Sequence, residues 1–562
     1  MVPGLRAKSA KSLLLSLGLL CIAGAPAFAR LLPSAGARVS QTEPPRVAGL
    51  PSDSELERSE ARIGYIRIDE RPLFDVEHHD QNTSLSRTAN RLHVATREAT
   101  IVDQLLFRSG DPYRASLLEE SARILRDTRY LRDALIRPVA YHDGLVDVEV
   151  TTQDVWTLNP GFAFGRKGGQ NTGGIEVEDL NFLGMGTQLG VGFTRGVDRD
   201  SKTIYYRDRN LGSSWWDLAT RYSDNSDGRL AEFGLAHPFY ALETRWAAGV
   251  ALSDDQRTDS RYDLGDIVDQ YQAHEKLASI YWGRSAGLVD GWARRYSVGL
   301  SYDDVTFEDV PGADAARLLP DDRHLVYPWF SVEWVQDEFR TGRNRDQIEK
   351  TEDYSLGWQA RAQLGYASAA LGSDRDAYLV SGGISKGLAL AGRQSVFFDF
   401  DTAGRVEDAG LRGAKSALGT RYYFRQSPRR LFFMELSAEQ GHDLDADQQI
   451  LLGGDNGLRG YPLRYQAGEG RWLFTAEQRF FTHWYPFQLF NVGAAVFYDM
   501  GATWGRDPLG SPSRGLLRDF GFGLRLGNSR SALGNVLHID VAFPLDGDAT
   551  SPQFLVETRK SF

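Results

Sequence analysis

The chain has 562 residues, a mass of 62.6 kDa, a mean hydropathy of −0.37 and a formal net charge of −11. The negative mean hydropathy argues against a helical membrane protein, and the acidic charge makes the chain a poor candidate for nucleic-acid binding. Its 42% hydrophobic content excludes disorder of the bulk of the chain, and its 58 glycines and many aromatic residues are typical of strands joined by turns.

The first 29 residues are predicted to be a secretory signal peptide. A basic stretch with Arg6, Lys8 and Lys11 precedes an apolar run of 13 residues, 13–25, and an Ala-x-Ala cleavage site follows at 27–29. The run is shorter than the about 20 residues that a transmembrane helix needs. The alternative is a buried helix of the folded protein.

The one cysteine, Cys21, lies inside this signal. A lipoprotein would be acylated at Cys21, but acylation needs a small residue just before the cysteine, and Leu20 is large. Removing the signal would remove three positive charges, taking −11 to −14, and would leave no cysteine. Thiol catalysis, a disulfide scaffold and Cys-ligated metal are therefore excluded for the mature chain.

Residues 30–62 are rich in Pro, Ser, Ala and Glu and are predicted to form an exposed, flexible linker. Residues 63–154 have a different pattern, with the order strand, helix, helix, strand, strand. The two helices are predicted over 96–107 and about 115–130 from their spacing of apolar residues. The last two strands, 134–142 and 145–153, are separated by Asp143-Gly144, which favours a tight hairpin turn.

From residue 155 to 562 the sequence predicts strands and no helix. In 490–501, for example, Val496 and Tyr498 share one face and Asp499 lies on the other, with two glycines. Such alternation without an apolar run of 18 residues predicts a transmembrane antiparallel β-barrel, apolar outside and polar in the lumen. The alternative is a soluble sandwich or propeller, whose inner faces would be more uniformly apolar.

The last strand alternates and ends on an aromatic residue. We predict that Phe554, Val556 and Phe562 form the signal by which outer-membrane barrels are recognised for assembly. Up to 20 candidate strands can be marked after residue 155. An even number is expected when both ends of the barrel lie in the periplasm.

Three motifs carry a family resemblance: Leu-Gly-Gly-Asp-Asn-Gly-Leu-Arg-Gly-Tyr at 452–461, Phe-Tyr-Asp-Met-Gly at 497–501 and Asn-Phe-Leu-Gly-Met-Gly at 181–186. Together with the unit before the barrel and the terminal Phe562, they resemble the outer-membrane protein assembly factor superfamily, or bacterial surface antigen family. Its members include the barrel of the outer-membrane assembly machine, the translocation-and-assembly barrel and two-partner secretion transporters. The resemblance covers 63–562.

The resemblance implies a 16-strand barrel in the outer membrane of a Gram-negative-type cell. It also implies that residues 63–154 form a polypeptide-transport-associated (POTRA) domain in the periplasm. The chain departs from the family in having a single such unit, whereas the central assembly barrel has several and the secretion transporters usually two. The segment count also exceeds 16.

In this family the loop that corresponds to about 444–470 folds back into the lumen, with the Arg-Gly-Tyr segment at its tip. The resemblance thus implies a lumen loop lock, in which Arg459, next to Gly460 and Tyr461, pairs with Asp499 on the inner wall. A guanidinium in a confined lumen needs a carboxylate partner. The supporting residues are Gly453, Gly454, Gly457, Phe497, Gly501, Glu477 and Arg479. The alternative is that Arg459 lies in a solvated glycine-rich loop.

Other motifs do not predict chemistry. Gly383–Gly387 matches G-x-S-x-G, but barrel strands surround it instead of a strand–turn–helix elbow. His78-His79-Asp80 has no second His pair at ligand spacing, and the chain has no P-loop. We therefore expect no catalysis, no cofactor and no metal ion.

These observations favour an outer-membrane barrel that inserts or translocates polypeptides. The POTRA domain would recruit unfolded clients in the periplasm by pairing them with an exposed sheet edge, and the resemblance indicates 134–142 as that edge. Clients would then leave through the barrel seam or the lumen. The expected partners are outer-membrane lipid, polypeptide clients and accessory subunits.

Four alternatives stay open. A passive porin-like channel would explain the barrel but not the unit before it or the Arg-Gly-Tyr loop. A two-partner secretion transporter and a lipid-handling member of the same superfamily are two further alternatives. A barrel displaying a fused enzyme has only residues 30–62 in which to place that enzyme.

Overall fold

The computed structural model describes residues 47, 49–75, 77, 83–486, 489–510, 513, 515–528, 530–531 and 536–559. The predicted signal peptide, most of the predicted linker, the His78-His79-Asp80 motif and Phe562 lie outside these described residues.

The described chain begins with a small α+β unit. Its sheet has the strand order β1-β3-β2, with β1 parallel and β2 antiparallel to β3: β1 Arg62–Arg71, β2 Leu131–His142 and β3 Leu145–Asp154. Four helices complete the unit: α1 Asp53–Arg58, α2 Ser84–Leu92, α3 Glu98–Val102 and α4 Ala115–Asp127. The apolar face of α4 is buried with the inner face of β3. The hairpin turn is as predicted, since Asp143 and Gly144 both have positive φ.

Helix α1 corrects the predicted linker. Ser52 and Glu55 form a reciprocal capping box at its start, and Leu56 is fully buried in the core of the unit. The surrounding Pro, Ser and Glu residues hid this short helix, because one buried leucine does not make a periodic pattern.

The helix predicted over 96–107 is shorter, and α2 precedes it in a stretch that reads as polar loop. Thr96, the first residue of that predicted helix, lies before α3 and is held by Asp154, which accepts from its backbone N–H and its hydroxyl group at 2.8 and 2.9 Å. This long-range contact has no signature in the local sequence.

Twenty strands of the described chain form a closed antiparallel barrel. The first ten are β4 Leu158–Lys167, β5 Gln170–Phe182, β6 Thr187–Arg195, β7 Asp200–Asp208, β8 Asp217–Asn225, β9 Gly228–His237, β10 Trp246–Asp263, β11 Asp266–Val289, β12 Trp292–Glu308 and β13 Arg323–Gln336. A separate hairpin follows, with β14 Phe339–Arg343 and β15 Thr351–Ser355.

The barrel continues with β16 Gln359–Ala367, β17 Ala377–Leu390, β18 Gln394–Glu407, β19 Gly410–Ser427 and β20 Arg430–His442. A two-stranded sheet, β21 Ile450–Leu452 and β22 Gln466–Gly468, interrupts it. The last strands are β23 Gly470–Phe481, β24 Asn491–Trp504, β25 Leu517–Gly527, β26 Val536–Pro544 and β27 Gln553–Arg559; two 3-10 turns are Leu211–Ser213 and Ala369–Leu371.

The predicted barrel is therefore confirmed, and its strand number is the upper count from the sequence. The 16 strands implied by the resemblance are corrected to 20 among the described residues, because the alternating segments pair separately instead of merging into loops. No helix in the described ranges is both long and apolar enough to span a membrane.

The strands bury alternate residues. In β24, Val496 has 55% of its surface exposed whereas its neighbour Phe497 has 2% and Asp499 has none. Because successive side chains of a strand point to opposite faces, Phe497 and Asp499 line the lumen and Val496 lies on the outer wall.

The α+β unit sits at one end of the barrel, which we call the near end. Three turns contact the unit there: Arg97 donates to the Leu183 carbonyl, the Asn210 side chain to the Asp103 carbonyl, and the Leu242 N–H to Glu120. Antiparallel strands alternate in direction, so the 337–358 connection also lies at the near end and the 443–469 connection at the opposite, far end.

The junction of the first and last barrel strands is the weakest in the barrel. In the described part of β27 a single residue pair, Val556 with Arg166, joins it to β4, whereas the other neighbouring barrel strands share at least seven pairs. An ion pair of 3.0 Å between Lys167 and Glu557 also crosses this seam.

The outer face can be tested at Val496. Replacing Val496 with Arg places a charge on the lipid-facing wall and should lower the free energy of unfolding by about 2–4 kcal/mol. Denaturant titration of the protein in phospholipid vesicles measures this change. The control, Val496→Leu, keeps the face apolar; an Arg variant as stable as this control would contradict the assignment.

Candidate functional site

The connection between β20 and β23, residues 443–469, enters the barrel, and we call it the lumen loop. Its small sheet of β21 and β22 holds the loop together. Leu452, Leu458 and Tyr461 of the loop are fully buried and pack with Leu517 of the barrel wall. The loop therefore fills part of the lumen with an apolar cluster of its own.

Arg459 lies near the tip of the lumen loop and is 2% exposed. Its Nε and Nη2 donate to the two carboxylate oxygens of Asp499, at 2.6 and 2.8 Å, and its Nη1 donates to Glu477 at 2.7 Å. The pairing with Asp499 is bidentate, the geometry in which a planar guanidinium matches a carboxylate. One loop residue thereby joins two neighbouring wall strands, β23 and β24.

The surroundings of Arg459 favour its charged form. The guanidinium carbon lies 3.4 Å from the ring centroid of Phe497, and the Thr475 hydroxyl group donates to Asp499 at 2.8 Å. Burial alone would lower the pKa of Arg459, but the carboxylates of Asp499 and Glu477 outweigh burial and hold this pKa well above its usual value.

Glu477 extends the cluster along the inner wall. Its second oxygen accepts from Nε of Arg479 at 2.9 Å, and Arg525 lies 4.0 Å away. The guanidinium of Arg479 stacks over Phe433 at 3.9 Å. The buried charges of Arg459, Glu477 and Arg479 thus have opposite charges or aromatic faces around them, which is the condition under which buried ions are tolerated.

The residues after Arg459 anchor the loop to the next strands. The Tyr461 hydroxyl group lies 2.9 and 3.0 Å from the carbonyl oxygens of Arg518 and Asp546. A Cβ on Gly460 would lie 2.6 Å from Cβ of Asp519, so only glycine allows this approach to the wall.

The structure places the other residues of the sequence prediction as follows. Gly457 has φ +126°, and a Cβ there would lie 2.1 Å from Leu473. On the wall, a Cβ on Gly501 would meet the backbone of Trp472 at 2.6 Å and Leu452 of the loop at 3.2 Å. Gly453 and Gly454 lie where the two sides of the loop approach each other.

The three residues predicted as an assembly signal are not brought together with the loop. Phe554 is 46% exposed on β27, Val556 lies at the seam, and Phe562 is outside the described residues.

Sequence reasoning missed two inner-wall residues of the same region. Arg525 of β25 and Asp540 of β26 are completely buried and hydrogen-bonded to each other. Both are charged residues at inner positions of neighbouring strands, and that coincidence is the signal that could have revealed them. In the described ranges, no group of three or more His, Cys, Asp or Glu residues has the geometry to hold a metal ion.

A closed barrel with an apolar outer wall and a charged interior defines an outer-membrane protein. A family model, described as the Omp85 superfamily domain, matches residues 181–557, more than half of the chain. The chain therefore belongs to the Omp85 superfamily.

Among similar proteins is one from Treponema pallidum (strain Nichols), whose name assigns it provisionally as an outer membrane protein assembly factor. It is 27% identical over 176 residues, which cover 29% of this chain and 21% of that protein. This chain thus matches about a fifth of the length of that curated relative.

Two solved structures resemble the chain at lower identity. BamA from Haemophilus ducreyi, lacking POTRA domains 1–3, is 14% identical with a TM-score of 0.38, covering 88% of this chain and 84% of its own. CdiB from Escherichia coli is 13% identical with a TM-score of 0.45, covering 89% and 76%. This chain is thus an outer-membrane barrel of the Omp85 superfamily.

The buried ion pairs predict a large effect of removing one partner. Arg459→Leu would leave Asp499 and Glu477 buried without their cation, which should lower the free energy of unfolding by about 3–5 kcal/mol. Urea titration, together with proteolysis of the lumen loop, measures the change.

The matched control is Arg361→Leu, because the Arg361–Asp401 pair is exposed on both sides. It should change stability by less than about 1 kcal/mol. An equal decrease in the free energy of unfolding for the two variants would contradict the prediction that the buried ion pairs of Arg459 stabilise the fold more than an exposed pair does.

Proposed function

We propose that this protein inserts polypeptides into the outer membrane or moves them across it. The α+β unit, which comprises the predicted residues 63–154 together with α1, acts as a periplasmic POTRA domain that recruits unfolded clients. Residues 1–29 are the signal peptide, and the remaining residues before α1 are the linker. The observation that carries this proposal is the buried contact of Arg459 with Asp499 and Glu477. This contact holds an inward-folded loop inside an Omp85 barrel, and a passive channel does not need such a loop.

The recruiting surface is the outer edge of β2. In the described chain β2 is the last strand of its sheet, so its outer backbone groups have no strand partner. The other edge strand, β1, is partly covered. The Ile63 N–H donates to the Asp111 carbonyl, the Ile63 carbonyl accepts from the Gly110 N–H, and Arg62 forms a bridge with Pro112. An unfolded client can add a strand to β2, and Pro138 is tolerated there because it lies in an edge strand.

The route for the client is the seam between β4 and β27 or the lumen beside the loop. The single described residue pair at this seam supports opening at that point, because few backbone hydrogen bonds must break. In this proposal the lumen loop lock keeps β23, β24 and the loop in one fixed geometry while the seam opens.

The recruiting edge can be tested by site-specific photocrosslinking. A photoreactive residue at position 141, in place of Tyr141 of β2, should crosslink to unfolded outer-membrane polypeptides in living cells. The matched control is a photoreactive residue in place of Tyr65 of β1, which should crosslink less. Tyr141 and Tyr65 are both exposed aromatic residues, on opposite edge strands. Equal crosslinking at both positions would contradict recruitment at β2.

The role of the lock can be tested by depletion and complementation. Cells depleted of the protein should lose a subset of outer-membrane or secreted proteins in a proteomic survey, and the wild-type chain should restore them. Arg459→Ala should reach the outer membrane but fail to restore them. Full restoration would contradict the lock, and an unchanged proteome with altered outer-leaflet lipid would point to lipid handling instead.

A further inference from the structure

A second chain segment enters the lumen, from the end opposite to the lumen loop. Residues 337–358, which connect β13 to β16 and contain β14 and β15, form a hairpin that we call the inner hairpin. It is the longest connection at the near end of the barrel, where others such as 290–291 and 391–393 have two or three residues. Its length alone shows that it does more than reverse the chain.

The tip of the inner hairpin is buried against the barrel wall. Ile348 packs in an apolar cluster with three aromatic wall residues, Phe397, Tyr423 and Phe433. A Cβ built on Gly527, at the near end of β25, would lie 2.9 Å from Cβ of Ile348. The tip thus reaches wall strands from β18 to β25, which all follow β16 in the barrel order.

Arg345 fixes the tip to the same aromatic residues. Its guanidinium carbon lies 4.0 Å from the ring centroids of both Phe397 and Tyr423 and 4.6 Å from that of Tyr354. A cation enclosed by aromatic faces is stabilised where water is excluded.

The backbone of the tip is held by Glu352. Its carboxylate accepts the N–H groups of Arg345 and Asp346 at 3.0 and 2.9 Å. Burial, aided by the neighbouring carboxylate of Asp346, raises the pKa of Glu352 to about 7. The hairpin therefore has an internal structure of its own and does not rest passively on the wall.

The tip also touches the residues that hold the lumen loop. Arg479 donates from Nη1 to the Arg345 carbonyl at 3.0 Å and lies 3.4 Å from Asp346. The same Arg479 shares Glu477 with Arg459. A continuous line of charged contacts therefore runs from the inner hairpin to the lumen loop.

The base of the inner hairpin contacts the α+β unit. Arg126 of α4 donates from Nε and Nη2 to both oxygens of Asp353, each at 2.7 Å. The Thr351 hydroxyl group donates at 2.9 Å to Asp133, which lies near the start of β2. The hairpin thus touches the strand whose edge is proposed to receive clients.

We propose that the inner hairpin is a movable plug that closes the near end of the lumen and is released when the α+β unit shifts. The lumen loop occupies the far end, and the inner hairpin fills the near end of a lumen that is wider in a 20-strand barrel than in a smaller one. The contacts to the unit are polar and partly exposed, whereas those of the tip are buried and aromatic, so motion of the unit is transmitted through the Arg126–Asp353 pair.

The plug can be tested by conductance, which needs no client and so does not depend on the proposed function. Replacing 341–353 with a short Gly-Ser turn should raise single-channel conductance in planar lipid bilayers several-fold. Conductance equal to that of the wild-type chain would overturn the proposal. Heat-modifiable migration in gels shows that the variant barrel has folded.

A disulfide variant keeps the test valid if the shortened chain fails to fold. Ile348→Cys with Gly527→Cys, in a chain with Cys21 replaced by Ser, needs a movement of only about 1 Å to reach disulfide Cβ distances. At raised voltage we expect large openings of the reduced variant; oxidation should abolish these openings, and reductant should restore them. The two single-cysteine variants are the controls, and openings unaffected by oxidation would overturn the proposal.

The link to the α+β unit is tested at Asp353. Asp353→Asn weakens the pair with Arg126 and should increase the frequency of large openings at least several-fold. The matched control is Glu243→Gln, because Glu243 of the barrel pairs with Arg114, the residue just before α4, and lies outside the hairpin. Equal effects of the two variants would overturn transmission through the hairpin.

Discussion

The structure depends on the burial of one guanidinium, that of Arg459, between two carboxylates of the barrel wall. A charge removed from water is tolerated only where opposite charges and hydrogen bonds replace its solvation, so Asp499 and Glu477 constrain where the loop tip can lie. The glycines around Arg459 follow from the same constraint, because Gly460 must approach the wall more closely than any Cβ allows. The charges of Asp499 and Glu477 thus position the loop, and glycines at the points of closest approach leave the space that the loop needs.

Connected charged contacts join the lumen loop, the barrel wall and the inner hairpin, so the two segments in the lumen are not independent of each other. Glu477 accepts from both Arg459 and Arg479, and Arg479 reaches the backbone of the inner hairpin. Loss of one member leaves its partners buried with unbalanced charge, so the members act together. This arrangement explains how a barrel of 20 strands keeps a filled interior at both ends while its seam stays weakly paired.

Much of the fold could be predicted from local pattern. Period-two alternation placed Asp499 and Val496 on opposite faces, and the Asp143-Gly144 dipeptide located the unit's hairpin turn. Helix α1 was missed because its one buried residue, Leu56, gives no periodicity. The inner hairpin was missed because its charged stretch resembles solvated loop, and its burial arises from Phe397 and Tyr423, some fifty and more positions away in the chain.

By itself, the sequence determined the class of protein, the faces of the strands and the segment containing Arg459, since strand alternation and glycine spacing are local properties of the backbone. Tertiary structure decided the number of strands, the geometry in which Arg459 meets Asp499 and Glu477, and the presence of a second segment in the lumen. The physical reason is the closure of the barrel. Which residues face each other across the lumen is set only when β27 pairs with β4, and contacts between strands distant in the chain leave no pattern in the local sequence.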